Sequence, residues 1–364
     1  MNNVVATLAR VLLPLLWLGT VHPLCGQDAE QAVKDKVLKA IELMDKGQLD
    51  ESIMLLEEAY LLDPTSYQIP YEKALAMYMK KDYKEAIRIF ESLTSHKDAD
   101  AQLYQMLGNS YSTAGEEAKA LDAYAAGLKV FPDAGRLYLE TGNVYLSKKD
   151  YESAVKNYER GIAVDPMYPS NYYRLSKIFL MTPDEVWGML YGEIFINLEM
   201  GSKRTAEISE LLFKTYQSEI KVSANKRSVS FCQNSVLPLL NLKDAEKPVL
   251  PFCLVYEPLL AAAVVSADTI ELSTLNGIRT RFLDAYFDKK FNESHPNVLF
   301  DYQRKIQEAG HFEAYNRWLL SAGDEDAFSE WASANALQWR LFVSWYKENP
   351  LLLTKERMFL RTQN

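Results

Sequence analysis

Small and aromatic side chains return along this chain at a fixed step. Gly108, Tyr111, Ala120, Tyr124 and Pro132 are followed 34 positions later by Gly142, Tyr145, Ala154, Tyr158 and Pro166. A period of that size marks helical hairpins, each too small to bury its apolar face alone, that stack into a solenoid. Glycine at the eighth position and alanine at the twentieth let the two helices of a hairpin approach closely. Aromatic residues at the fourth, eleventh and twenty-fourth positions fill the space around that contact. Proline near the thirty-second position cannot continue a helix interior, so it ends the second helix and opens the turn to the next unit.

Laid out on this step, the units run over 33–66, 67–100, 101–134 and 135–168, with a partial fifth over 169–202. The first keeps Ala40, Gly47, Ala59 and Pro64 but has Ser52 at the twentieth position. The second keeps Ala74, Ala86 and Phe90 and has Asp98 in place of proline. In the third, Tyr104, Leu107, Gly108, Tyr111, Gly115, Ala120, Tyr124 and Pro132 fall where the tetratricopeptide repeat has its signature. In the fourth, Tyr138, Gly142, Tyr145, Ala154, Tyr158 and Pro166 do the same. Residues 27–202 thus resemble that family. The resemblance implies an all-α fold, a right-handed superhelix of helical hairpins, and a non-enzymatic scaffold that binds a protein or peptide.

In the fifth unit Tyr172, Leu175 and Phe179 continue a first helix. Thr182, Pro183 and Glu185 predict a new helix start with a threonine cap. Gly188 and Gly192 then take the twentieth and twenty-fourth positions. Ile208, Leu211, Leu212 and Tyr216 predict a helical extension over 203–221. Asn, Ser and Pro238 break the pattern, so 222–248 is expected to be an irregular connector. A helical C-terminal region that caps the superhelix is expected over 249–364. Its helices are predicted over 251–267, 268–287, 296–309, 311–321 and 324–347, with Asp268 and Glu271 in capping-box positions.

The first 26 residues carry one charge, Arg10, ahead of an apolar run from Val11 to Val21 that Pro14 interrupts. That run is too short to span a bilayer and fits a signal peptide cleaved near Gly26, so the mature chain is expected to lack a transmembrane segment. Cys25 supplies a rival, lipid attachment, although His22, Pro23 and Leu24 are not the small residues such a box wants. The segment resembles bacterial export signals and places the protein in the periplasm or cell envelope. There Cys232 and Cys253 either pair or remain two buried thiols. The formal net charge of -9 argues against nucleic-acid binding, which needs a concentrated basic surface.

After export cleavage the histidines are His96, His295 and His311, far apart in sequence. HExxH, GxSxG, P-loop and GxGxxG patterns are absent from the chain, so no catalytic residue, metal or cofactor is expected. Two alternatives use the C-terminal helices. An enzyme site would centre on His311 and Glu313, with Glu308, Asp324, Glu325 and Asp326 as further carboxylates. A glycan platform would use Trp331, Trp339, Phe342 and Trp345, whose near-helical spacing equally suits packing.

The family resemblance also implies that each first helix lines the concave face. Its ninth positions in units three to five are Asn109, Asn143 and Lys177. Asparagine can donate to and accept from an extended peptide backbone, and lysine can hold a carboxylate. Gln102, Gln105, Ser112, Arg136, Leu139 and Tyr173 surround this ladder, with Tyr71 and Tyr78 in the second unit. The fifth positions Gln105 and Tyr173 depart from the lysines of a carboxylate clamp.

Overall fold

A computed structural model describes residues 24–223, 226–233, 250–265 and 267–363 of the chain. Residues 1–23 of the expected export segment and 234–249 of the expected connector lie outside the described residues. The fold is all-α, a tetratricopeptide-type solenoid followed by a helical C-terminal region. The chain divides into two compact units, 1–98 and 99–364.

The first unit holds two hairpins. Helix α1 (Leu24–Asp45) pairs with α2 (Leu49–Leu62), and α3 (Gln68–Met79) pairs with α4 (Tyr83–Leu93). Leu56 and Phe90, at the twenty-fourth position, are fully buried with the small residues Ala40 and Ala74 at the eighth. In the second unit the hairpins are α5 (Ala101–Thr113) with α6 (Glu117–Val130), α7 (Gly135–Ser147) with α8 (Tyr151–Val164), and α9 (Pro169–Phe179) with α10 (Glu185–Leu198). Here the eighth position is glycine and the twenty-fourth tyrosine. A Cβ on Gly108 would lie 2.1 Å from the Tyr124 ring, and one on Gly142 2.5 Å from the Tyr158 ring.

The turn inside each hairpin repeats as strictly as its core. Gly47, Lys81, Gly115 and Lys149 sit 34 positions apart and all have positive φ. Each closes its first helix in the same way; the Gly115 N–H donates to the Ser112 carbonyl and the Glu116 N–H to that of Tyr111. The next position in the series is Pro183, whose ring forbids that conformation. The turn changes there. Thr182 Oγ1 accepts from the Asp184 N–H, and α10 starts at Glu185 with no side-chain cap, so the expected threonine cap is corrected.

In the fifth hairpin both positions are small, with Ser176 at the eighth and Gly192 at the twenty-fourth. The space over Gly192 is filled by Ser176 and by Ile208 and Leu212 of α11 (Lys203–Glu219). Helix α11 therefore packs as the first helix of a further unit. It is followed by a feature that the irregular pattern after it does not announce, an antiparallel hairpin of β1 (Ile220–Ser223) and β2 (Lys226–Val229).

The C-terminal region comprises α12 (Phe252–Val264), α13 (Leu272–Asp288), α14 (Phe291–Ser294), α15 (Val298–Glu308), α16 (Phe312–Leu319), α17 (Glu325–Ala334) and α18 (Ala336–Glu348). The capping box on α13 is Glu271 with Thr274 rather than Asp268 with Glu271. The helix expected over 324–347 breaks at Asn335 into α17 and α18. Cys232 and Cys253 form a disulfide that ties the segment after β2 to α12, with Cα atoms 5.9 Å apart.

One buried polar cluster binds the repeats of the second unit to these helices. The Arg279 guanidinium donates to both Glu193 oxygens, at 2.9 and 2.7 Å, and to Asn316 and Tyr216. Glu193 Oε1 also accepts from Gln303 and from the Tyr315 hydroxyl. The two charged side chains are only 7% and 5% exposed, so each depends on the other and on the surrounding donors.

Past α18 the chain runs back without strand or α-helix, turning at Thr354–Arg357 and forming a 3-10 turn over Arg361–Gln363. Leu353 donates its N–H to the Met167 sulfur, and Lys355 pairs with Asp133 at 2.7 Å. Phe359, 1% exposed, packs on Trp187 and edge-on against Tyr191. The tail is thus anchored on second helices, α8 and α10.

Candidate peptide-binding face

In the second unit, polar side chains about one repeat apart join the first helix α5 to α7 and the first helix α9 to α11, while Asn171 Nδ2 donates to the Gly135 carbonyl between α9 and α7 at 3.3 Å. Arg136 Nη1 reaches Gln102 Oε1 at 3.4 Å, Arg204 Nη1 donates to Ser170 at 3.1 Å, and the Tyr173 hydroxyl donates to Glu207 at 2.6 Å. Gln105 and Asn143 both donate to Glu140, at 2.8 Å each. These contacts place Gln102, Gln105, Arg136, Asn143, Tyr173 and Lys177 on one polar face. They add Glu140, Arg174, Arg204 and Glu207, which the search through ninth positions passed over. The second and fifth positions of α11 would have revealed Arg204 and Glu207 had the repeat register been carried past the fading signature.

The ladder residues do more internal work than their positions suggest. Asn109 Oδ1 accepts from the buried Tyr124 hydroxyl at 2.6 Å, and Asn143 Oδ1 accepts from that of Tyr158 at 3.0 Å. Each asparagine thereby satisfies the tyrosine that fills its own hairpin. Lys177 is not a free cation, because its ammonium pairs with Glu207 at 2.6 Å and lies 5.4 Å from the Tyr173 ring centre. That pairing raises the lysine above its ordinary value and holds Glu207 below the usual carboxylate range. Arg204 is similarly taken by Glu199. Arg136 and Arg174 have no carboxylate ion pair among the described residues, and Arg174 rests 5.9 Å from the Tyr173 ring centre. Leu139 is buried, and Ser112 lies half-buried on α5.

Tyr71 and Tyr78 belong to the first unit. Tyr71 is 8% exposed, stacked on Tyr67 and edge-on to Phe90, so it serves the core of its hairpin instead of lining a groove. Tyr78 packs against Tyr83.

The C-terminal alternatives resolve mostly into packing. His311 lies against Trp345 and Phe342, and burial pushes its pKa down. Glu313 is held by Arg317 at 3.0 Å and faces Gln338. Phe342 and Trp331 are buried, Arg317 stacks over Trp331, and Trp339 meets Phe328 edge-on. Among the described residues, no three His, Cys, Asp or Glu side chains are grouped to hold a metal, and no helix is long and apolar enough to cross a membrane.

Two segments match known repeat families. Residues 43–109 match the family described as "Tetratricopeptide repeat" and residues 142–182 the one described as "TPR repeat". A TPR repeat-containing protein of Methanocaldococcus jannaschii is 30% identical over 94 residues, which are 26% of this chain and 29% of that protein. Among solved structures, a thermophilic TPR protein of Thermus thermophilus is 16% identical, covering 50% of this chain and 99% of that one with a TM-score of 0.42. PilF of Pseudomonas aeruginosa is 14% identical over 52% of this chain and 86% of its own, at 0.43. YrrB, described as a TPR protein with an unusual peptide-binding site, is 15% identical over 48% and 90%, at 0.34. Residues 43–109 and 142–182 thus match tetratricopeptide repeats, and the fold is one in which stacked hairpins present surfaces to protein partners.

Proposed function

We propose that this protein is a non-enzymatic scaffold that holds an extended protein or peptide segment on the polar face of α5, α7, α9 and α11. The observation that carries the reading is the continuity of that face. Side-chain contacts about one repeat apart link α5 to α7 and α9 to α11, a buried bond from Asn171 Nδ2 to the Gly135 carbonyl joins α7 to α9, and the tail lies on second helices. Asn109, Asn143 and Glu140 offer groups to a peptide backbone, and Arg136 and Arg174 offer charge to an acidic side chain. The ligand is therefore expected to be an extended segment with at least one carboxylate.

The reading includes export to the cell envelope, supported by the charge-poor apolar segment behind Arg10 and by the Cys232–Cys253 disulfide, a bond that persists in oxidising compartments. N-terminal sequencing of the protein isolated from cells should begin close to Gln27; a chain retaining its first residues would contradict export.

The binding test is a photo-crosslinking amino acid at Ser112, followed by identification of the attached segment. Arg136→Glu together with Arg174→Glu should abolish the crosslink without changing helical content. An undiminished crosslink in that double variant overturns the assignment of this face.

A further inference from the structure

A cavity of about 480 Å³ opens in the first unit between the second helices α2 and α4, floored by α3. Tyr60, Leu61, Ile69 and Ile89 give it apolar walls, and Leu61 is 83% exposed. Glu57, Lys73 and Arg88 stand in its lining. Arg88 is already neutralised by Glu85, whose carboxylate it holds below the ordinary range. Glu57 is 56% exposed, and one of its oxygens receives Lys73 at 2.7 Å.

The same repeat positions recur three units later, where α8, α9 and α10 stand in place of α2, α3 and α4. Glu57 becomes Glu159 and Ile89 becomes Tyr191. There the groove is full. The tail lays Phe359 against Tyr191 and Trp187, buries Leu360, and carries Arg361 to Glu159, with Nε at 3.0 Å and Nη2 at 3.3 Å from its two oxygens. The Arg361 N–H donates to the Tyr191 hydroxyl at 3.0 Å. The molecule thus contains a worked example of what this groove receives: an irregular segment with a large apolar side chain two residues before an arginine that opens a 3-10 turn.

We infer that the groove between α2 and α4 is a docking site for a segment of a partner protein with that same chemistry, an apolar anchor followed by arginine. The apolar anchor enters between Tyr60 and Ile89, and its arginine replaces Lys73 at Glu57. Charge complementarity fixes the direction. Both ion pairs in the lining reach solvent, where exchange costs little, and Glu57 is the more exposed of the two carboxylates, 56% against 31% for Glu85. In the second unit leucine stands at the position of Lys73, so Glu159 meets the tail arginine and the Tyr191 hydroxyl instead of a lysine. The inference concerns second helices of the first unit and stands apart from the polar face of α5, α7, α9 and α11.

The test titrates the intact protein into a fluorescein-labelled synthetic peptide with the sequence of residues 355–363. Saturable binding is expected, weakened by roughly tenfold or more in Glu57→Lys and in Leu61→Arg, as for loss of an interface anchor. Both positions are exposed, so both variants should keep the parent's helical content. A peptide whose residue corresponding to Arg361 is replaced by glutamate, with Arg357 kept, should bind no better than a scrambled one. Absence of binding overturns the inference. So does binding that ignores both variants, which would mean displacement of the chain's own tail, and so does a peptide-blocked, concentration-dependent self-association, which would make a second copy the occupant.

Discussion

Two grooves built at the same repeat positions differ in what closes them. Between α2 and α4 Tyr60 and Leu61 stand exposed beside the buried Ile69 and Ile89, and the carboxylate of Glu57 meets a lysine from the neighbouring helix. Between α8 and α10 the chain's own tail supplies Phe359, Leu360 and Arg361, and Glu159 is only 11% exposed. The difference shows how a repeat surface turns into core: an irregular segment with two apolar residues and one cation suffices. It also separates charges by their cost. The ion pairs of the first unit lie in water, where each contributes little. Arg279 and Glu193 lie in a dry interior, where losing one leaves the other stranded.

The sharpest way to break the comparison is at that pair. Arg279→Met should lower the stability of the second unit by about 3–5 kcal/mol, whereas Lys73→Met, which strips the cation from Glu57, should change the first unit by less than about 1 kcal/mol. Chemical denaturation followed by hydrogen exchange of each unit separates the two. Next comes the tail, where Phe359→Ala should cost about 3 kcal/mol, the usual penalty for emptying a buried aromatic site. Amides of α8 and α10 should then exchange faster while those of α2 and α4 stay as they were. Reducing the Cys232–Cys253 disulfide should cost about 2–3 kcal/mol in the second unit alone, read as a lower midpoint with reductant present.

The smallest effect lies in the turns. Gly47 and Gly115 adopt positive φ freely, but Lys81 and Lys149 do so against side-chain crowding. Lys149→Gly should therefore raise stability by up to about 1 kcal/mol, since no other change of backbone is needed. An unchanged or lower midpoint would mean that the lysine side chain contributes more than its backbone costs.

The repeated core was legible because it depends on residue size at fixed positions: Gly108 against Tyr124 and Gly142 against Tyr158 can be read from spacing alone. The turn series was half legible, since lysines at 81 and 149 hide a conformation that glycine announces at 47 and 115. Helix α11 escaped as a repeat member because Gly192 leaves the twenty-fourth position without its large residue, and Ile208 and Leu212 fill that space from the next helix. On the binding face, position was readable but partners were not. The Asn109–Tyr124 bond lies inside one hairpin and Lys177–Glu207 between adjacent ones, and neither leaves a mark in composition. The filled groove was beyond reach altogether, because Glu159 and Arg361 are 202 positions apart and the tail has no periodic pattern. The expected capping box failed for a local reason: Thr274, not Glu271, supplies the reciprocating side chain.

The equivalence of the two grooves is tested most directly by hydrogen exchange of the intact protein with and without the peptide of residues 355–363. Protection is expected to appear at 56–61 and 88–92, leaving 158–163 and 190–194 unchanged. Protection confined to the latter segments, or none in either, would contradict it.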